Sequence, residues 1–228
     1  MKTKKLLYII TTSLLTIATL YITDQVLMLS YNTKIAVKLI TFLTFPLIYI
    51  FVTKDNIIKG SIENAGRNFR KLKIKSISTI LGLVLFLFLI GMFSIFKGFL
   101  DMESMRTDFA DKYKITKDNL LFYGLYMSFV NSLLEEYFFR GFIFLNLKKI
   151  GYRKTGYVTS SIMFAIYHIA NFQNWFSPLL YILAIAGLFV GGTIFNLLDD
   201  KDNTFFNSWF VHICADLAIV LMGYLILI

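Results

Sequence analysis

The chain has 228 residues, 57% of them hydrophobic, with 24 Phe, 13 Tyr and a formal net charge of +9. A soluble domain of this length builds its core with far less apolar surface, so the composition points to an integral membrane protein, read as a single membrane domain over 1–228. The one cysteine, Cys214, excludes an intramolecular disulfide, and the excess Lys and Arg lies in short segments between apolar runs, a pattern of membrane topology rather than of nucleic-acid binding.

Seven apolar segments, each near the ~20 residues that a spanning helix needs, predict an all-α polytopic transmembrane helix bundle. In chain order they cover 6–23, 35–53, 76–100, 119–147, 155–172, 177–198 and 207–228. The first follows Lys2, Lys4 and Lys5 and lacks a small-x-small cleavage site, so it reads as an uncleaved span. Pro46 predicts a kink in the second. Residues 54–75 form a basic, partly amphipathic segment suited to anionic lipid headgroups. Residues 101–118 form a mixed-charge loop with a short surface helix. Gly187, Gly191 and Gly192 in the sixth span allow close helix approach, and Trp175 and Trp209 fit interface anchors.

The connections alternate in charge. Fifteen Lys and Arg fall on the side of the N-terminus and five on the other, which places the N-terminus in the cytoplasm. The acidic loop Asp199-Asp200-Lys201-Asp202 falls on the basic side, and acidic residues carry little weight in that rule.

The fourth segment contains Asn131-Ser-Leu-Leu-Glu135-Glu136-Tyr-Phe-Phe-Arg140. Charges inside hydrocarbon cost roughly 2.5–3.5 kcal/mol each on the milder insertion scale, and they mark functional sites by default. Residues four apart share a helix face. Glu136 and Arg140 therefore pair along one face as a structural ion pair, while Asn131 and Glu135 share another. Glu135 is left as the candidate acid/base. The fifth segment carries Phe164 and His168 four apart, and the seventh carries His212 and Asp216 four apart. Counted from the basic ends of their spans, Glu135 lies ~18 Å deep and His168 ~21 Å, with Asp216 near ~14 Å and His212 near ~8 Å. These groups can line one cavity, expected to open toward the cytoplasm. Tyr137, Phe138, Phe139 and Phe142 read as packing or lipid-facing residues, Cys214 as a small packing residue, and Asn171 and Asn174 as solvated loop residues.

Glu135-Glu136-x-x-x-Arg140, Phe164-x-x-x-His168 and His212-x-x-x-Asp216, in that order, resemble the motif series of the CPBP intramembrane proteases, also called the Abi or CAAX-protease family. The resemblance covers about 119–220, so 119–228 reads as the catalytic core and 1–118 as N-terminal spans and loops. It implies hydrolysis of peptide bonds in membrane-associated peptides or proteins, with Glu135, Glu136, Arg140, His168, His212 and Asp216 as the site. In that reading Glu135 and His168 activate a water and His212, with Asp216 behind it, stabilises the oxyanion. Asp216 stands where the family often has Asn, and an ionised Asp cannot donate a hydrogen bond. A zinc ion held by some of Glu135, His168, His212 and Asp216 is the open alternative. The implied setting is a bacterial plasma membrane, with roles in peptide processing or bacteriocin self-immunity. A non-catalytic membrane scaffold on the same fold is the rival reading. A proton-coupled transporter is weaker, since the sequence shows no inverted repeat.

Overall fold

The computed structural model describes the backbone of residues 2–70, 74–112, 114–172 and 176–227, with side chains at 68–70, 74–76, 112 and 169–172 outside the description. The expected Trp175 anchor and Asn174 lie outside these residues, as does the side chain of Asn171. Among the described residues the chain forms nine helices: α1 (Lys2–Tyr21), α2 (Tyr31–Thr53), α3 (Ile57–Arg70), α4 (Ile74–Phe96), α5 (Met102–Thr107), α6 (120–149), α7 (Arg153–Phe172), α8 (Pro178–Asp202) and α9 (Phe206–Leu227). The result is the helical membrane bundle that the apolar segments predict.

Local chemistry sets the ends. Ser30 caps α2, its hydroxyl accepting from the Thr33 N–H. Pro178 opens α8 at a position where its missing N–H costs nothing, and Asn203, at φ 50°, closes it in the left-handed conformation. α2 runs unbroken through Pro46. α6 is a continuous helix in which π-helical turns at Tyr126–Asn131 and Tyr137–Leu145 flank the Glu135-Glu136 pair. Such widened turns shift the helix faces and are frequent at functional sites.

Among the described residues five helices are long and apolar enough to cross a membrane: Lys2–Val26, Tyr31–Thr53, Ile77–Phe99, Pro178–Asp202 and Phe206–Leu227. The other two expected spans, α6 and α7, are the helices that carry Glu135, Glu136, Arg140 and His168. Their polar groups lower their hydropathy, and the bundle encloses those groups, with Glu135, Glu136 and Arg140 buried while Leu121, Phe122 and Val158 stay exposed on the outer faces. Phe138, Phe139, Phe142, Ile143 and Leu147 of α6 are at most 1% exposed and form the core with Ile9 of α1, Phe42 and Tyr49 of α2 and Phe164 of α7. Phe42 stacks on Phe138 at 4.3 Å between ring centroids, and Tyr49 meets Phe142 edge-on at 5.8 Å. These rings are packing residues rather than lipid-facing ones.

Close approach uses glycine at specific points. A Cβ at Gly82 of α4 would lie 2.7 Å from the Cys214 Sγ of α9. A Cβ at Gly192 of α8 would lie 3.2 Å from the Ser161 Cα and 3.5 Å from the Arg140 guanidinium. Gly187 and Gly191, expected to act in the same way, face open space.

The two ends of the bundle differ in charge. At one end Asp55 takes ion pairs from Lys5 (2.7 Å) and Lys149 (2.8 Å), and Asp200 takes them from Lys148 (2.7 Å) and Arg153. Asp200 thus neutralises the basic residues beside it, which accounts for an acidic loop on the basic side. α3 crosses this end, held by Thr204 Oγ1 donating to Ser61 O and Asn64 Nδ2 donating to Asn203 O. The opposite end carries the Asp24–Lys34 ion pair and α5, where Arg106 Nε donates to Ile226 O at 2.8 Å.

Candidate active site

α6, α7 and α9 bring all six expected residues together, and α2 reaches them through Lys38. Glu135 is 2% exposed, and its two oxygens have different surroundings. Oε1 accepts from Lys38 Nζ at 2.7 Å, Asn131 Nδ2 at 2.8 Å and Tyr167 Oη at 3.1 Å. Oε2 has no hydrogen-bond partner among the described residues and faces His168 Nε2 at 3.6 Å and His212 Nε2 at 3.8 Å. One oxygen is therefore anchored and the other is presented. Asn131 takes the orienting place that its spacing from Glu135 suggests.

The second carboxylate braces the site. Glu136 Oε1 accepts from His212 Nδ1 at 2.7 Å, and Oε2 lies 3.2 Å from Arg140 Nε. Arg140 is fully buried, and among the described residues its guanidinium nitrogens have no hydrogen-bond partner. Its charge is held instead by Glu136 and by aromatic faces: the guanidinium carbon sits 4.2 Å from the Phe164 ring centroid and 4.9 Å from that of Phe195. Gly192 leaves the room for it. Phe164 also packs against His168, with centroids 4.5 Å apart, so the ring four residues before the histidine serves both groups.

The imidazoles are fixed through Nδ1. His168 Nδ1 lies 2.8 Å from Phe164 O, and a carbonyl only accepts, so this nitrogen carries a proton and Nε2 faces Glu135. His212 Nδ1 on Glu136 leaves its Nε2 facing the same point. Asp216 stands on the open side of His212, its Oδ1 3.7 Å from Nε2 and its Oδ2 without a hydrogen-bond partner among the described residues. The expectation that Asp216 sits behind His212 is corrected here, because Glu136 takes that place.

Three contributors escape the sequence reading. Lys38 reaches Glu135 from α2, Tyr167 reaches it from α7, and Trp209 Nε1 donates to Ser132 Oγ at 3.1 Å, tying α9 to α6. Trp209 is thus engaged inside the bundle rather than acting as a free interface anchor. A lone lysine in an apolar span is itself an intramembrane charge, and that signal was available for Lys38.

A cavity of about 290 Å³ reaches the site and is lined by Lys38, Asn131, Glu135, His168, His212 and Asp216. It continues past Met127 and Tyr123 to Asp24, Lys34 and Ile115. It therefore extends toward the end opposite the basic loops, against the expectation of a cytoplasmic opening.

Among the described residues no group of three His, Cys, Asp or Glu is placed to hold a metal ion. The nearest donors are Glu135 Oε2 and the two Nε2 atoms, and the ammonium of Lys38 already sits 2.7 Å from the same carboxylate. A dication bound there would face that ammonium at close range. The residues as placed do not fit the zinc site entertained from the sequence.

The family model described as "Type II CAAX prenyl endopeptidase Rce1-like" matches residues 117–218, a stretch that contains all six site residues. Neither the comparison with curated proteins nor that with solved structures gives a match.

Proposed function

We propose that this integral membrane protein is an intramembrane endopeptidase working through a carboxylate-activated water, a reading supported by its match over residues 117–218 to the family model of Rce1-like type II CAAX prenyl endopeptidases. The observation that carries the reading is the split environment of Glu135, with Oε1 fixed by three donors and Oε2 open toward two imidazoles.

In the proposed reaction a water sits between Glu135 Oε2 and His168 Nε2 and donates a hydrogen to each. Glu135 takes one proton as the water oxygen bonds to the scissile carbonyl carbon. His212 lies among Glu136, Asp216 and Glu135 at 2.7, 3.7 and 3.8 Å, an environment that suits imidazolium. Its Nδ1–H then stays on Glu136 while Nε2–H donates to the developing oxyanion. As the C–N bond breaks, Glu135 passes its proton to the leaving nitrogen. Within this group Lys38, Arg140 and a protonated His212 serve as counter-charges to Glu135, Glu136 and Asp216. Asp216 serves as counter-ion to His212, a role for which a carboxylate suits better than an amide.

The test is cleavage of a panel of membrane peptides by protein in nanodiscs, read by mass spectrometry, beside Glu135→Ala and with a chelator arm. Cleavage that disappears in the variant and survives chelation supports the scheme. Cellular function retained by Glu135→Ala would favour a binding scaffold, and chelator-sensitive cleavage would favour a metal.

A further inference from the structure

The route to the buried carboxylate is asymmetric. On the side of the basic loops the space below Glu135 is filled: Phe138, Phe139 and Phe142 are at most 1% exposed and pack against Phe42, Tyr49 and Phe164. Beyond that plug, the Asp55 and Asp200 ion pairs and the α3 crossing close the end of the bundle. On the other side the cavity leads from Glu135 to the level of Asp24, Lys34 and Ile115. Along α6 this path spans the fifteen residue steps from Leu120 to Glu135, or ~22 Å at 1.5 Å per residue.

The basic end is the cytoplasmic one by the distribution of Lys and Arg, fifteen against five in the connections. The mouth is then extracytoplasmic. The cavity walls between mouth and carboxylate include Tyr31, Ile35, Tyr123, Met127, Ile166 and Val220, all aromatic or aliphatic. Such walls desolvate apolar side chains and offer few partners to charged ones.

We infer that the peptide bond to be cut reaches Glu135 from the extracytoplasmic face, on a polypeptide segment with apolar side chains beside the cleavage point. The substrate class is an exported or membrane-anchored polypeptide entered from its extracytoplasmic side, not a chain end presented in the cytoplasm. The substrate part of this inference rests on the endopeptidase reading. The direction of access rests on the cavity and the charge pattern alone.

The test labels single cysteines with a membrane-impermeant maleimide in intact cells and after lysis, using the full chain with Cys214→Ala as background. Lys59→Cys reports the basic end, Lys117→Cys the opposite end and Met127→Cys the cavity wall; Lys59 and Lys117 are exposed. Lys117→Cys and Met127→Cys should react in intact cells, and Lys59→Cys only after lysis. The reverse pattern overturns the inference by reversing the sides. Any result in which Met127→Cys fails to react in intact cells alongside Lys117→Cys overturns it by removing the route. These readouts need no catalysis. An inactive protein with the expected labelling therefore counts against the endopeptidase reading and leaves the direction of access standing.

Discussion

Removing the charge of Lys38 isolates the interaction that the sequence conceals. Lys38 Nζ lies 2.7 Å from Glu135 Oε1, and both side chains are buried, at 11% and 3% exposure. At an effective dielectric constant of about 20 that separation corresponds to about 6 kcal/mol of gross attraction. Desolvation of both groups consumes part of it, but loss of one partner from a buried pair leaves an uncompensated charge and costs about 3–5 kcal/mol. Lys38→Met keeps the length of the side chain and should destabilise the protein by that amount. Adding Glu135→Gln removes the stranded charge while keeping an acceptor for Asn131 and Tyr167, so the double variant should recover at least about 2 kcal/mol. Unfolding of the four proteins in mixed detergent micelles gives the coupling. Additivity of the two changes within about 0.5 kcal/mol would refute the pairing.

Other outcomes follow from the same geometry. His212→Ala removes the oxyanion donor and should lower kcat by about 10²–10³-fold in peptide cleavage assays, with the protein still inserted in the membrane. Gly82→Ala would force a Cβ to within 2.7 Å of the Cys214 Sγ and should destabilise the α4–α9 contact by about 1–3 kcal/mol. Combining it with Cys214→Ala should relieve most of that loss in the same unfolding assay. Asp55, outside the spans, is held below its ordinary value of 3.8 by hydrogen bonds from Lys149 and Lys5. Its contribution is present above about pH 3.8 and is lost as pH falls through the lowered value. Thermal unfolding of Asp55→Asn should therefore depend less on pH in that acid range than wild type does.

The helices were legible because apolar runs of spanning length are a strong signal, and because charges four residues apart announce a shared face. Glu136–Arg140 and Asn131–Glu135 meet as their spacing requires. The interhelical partners were not legible. Lys38 and Glu135 are 97 positions apart, and no local pattern links them. The same holds for His212 and Glu136, whose contact displaces Asp216 from the place that its position on the His212 face suggested. α6 and α7 read as ordinary spans by their apolar residues, yet they carry the site inside a bundle of more hydrophobic helices. The direction of the cavity was hidden for a different reason. Glu135 lies ~21 Å from one end of α6 and ~22 Å from the other, so depth favours neither side and only packing decides.

The most direct measurement is hydrolysis in water enriched in oxygen-18, followed by mass analysis of the products from wild type and Glu135→Ala. Wild type should place one heavy oxygen at each new carboxyl terminus, and the variant should yield no cleavage above background. Equal cleavage by the variant, or products without the label, would contradict the proposed reaction.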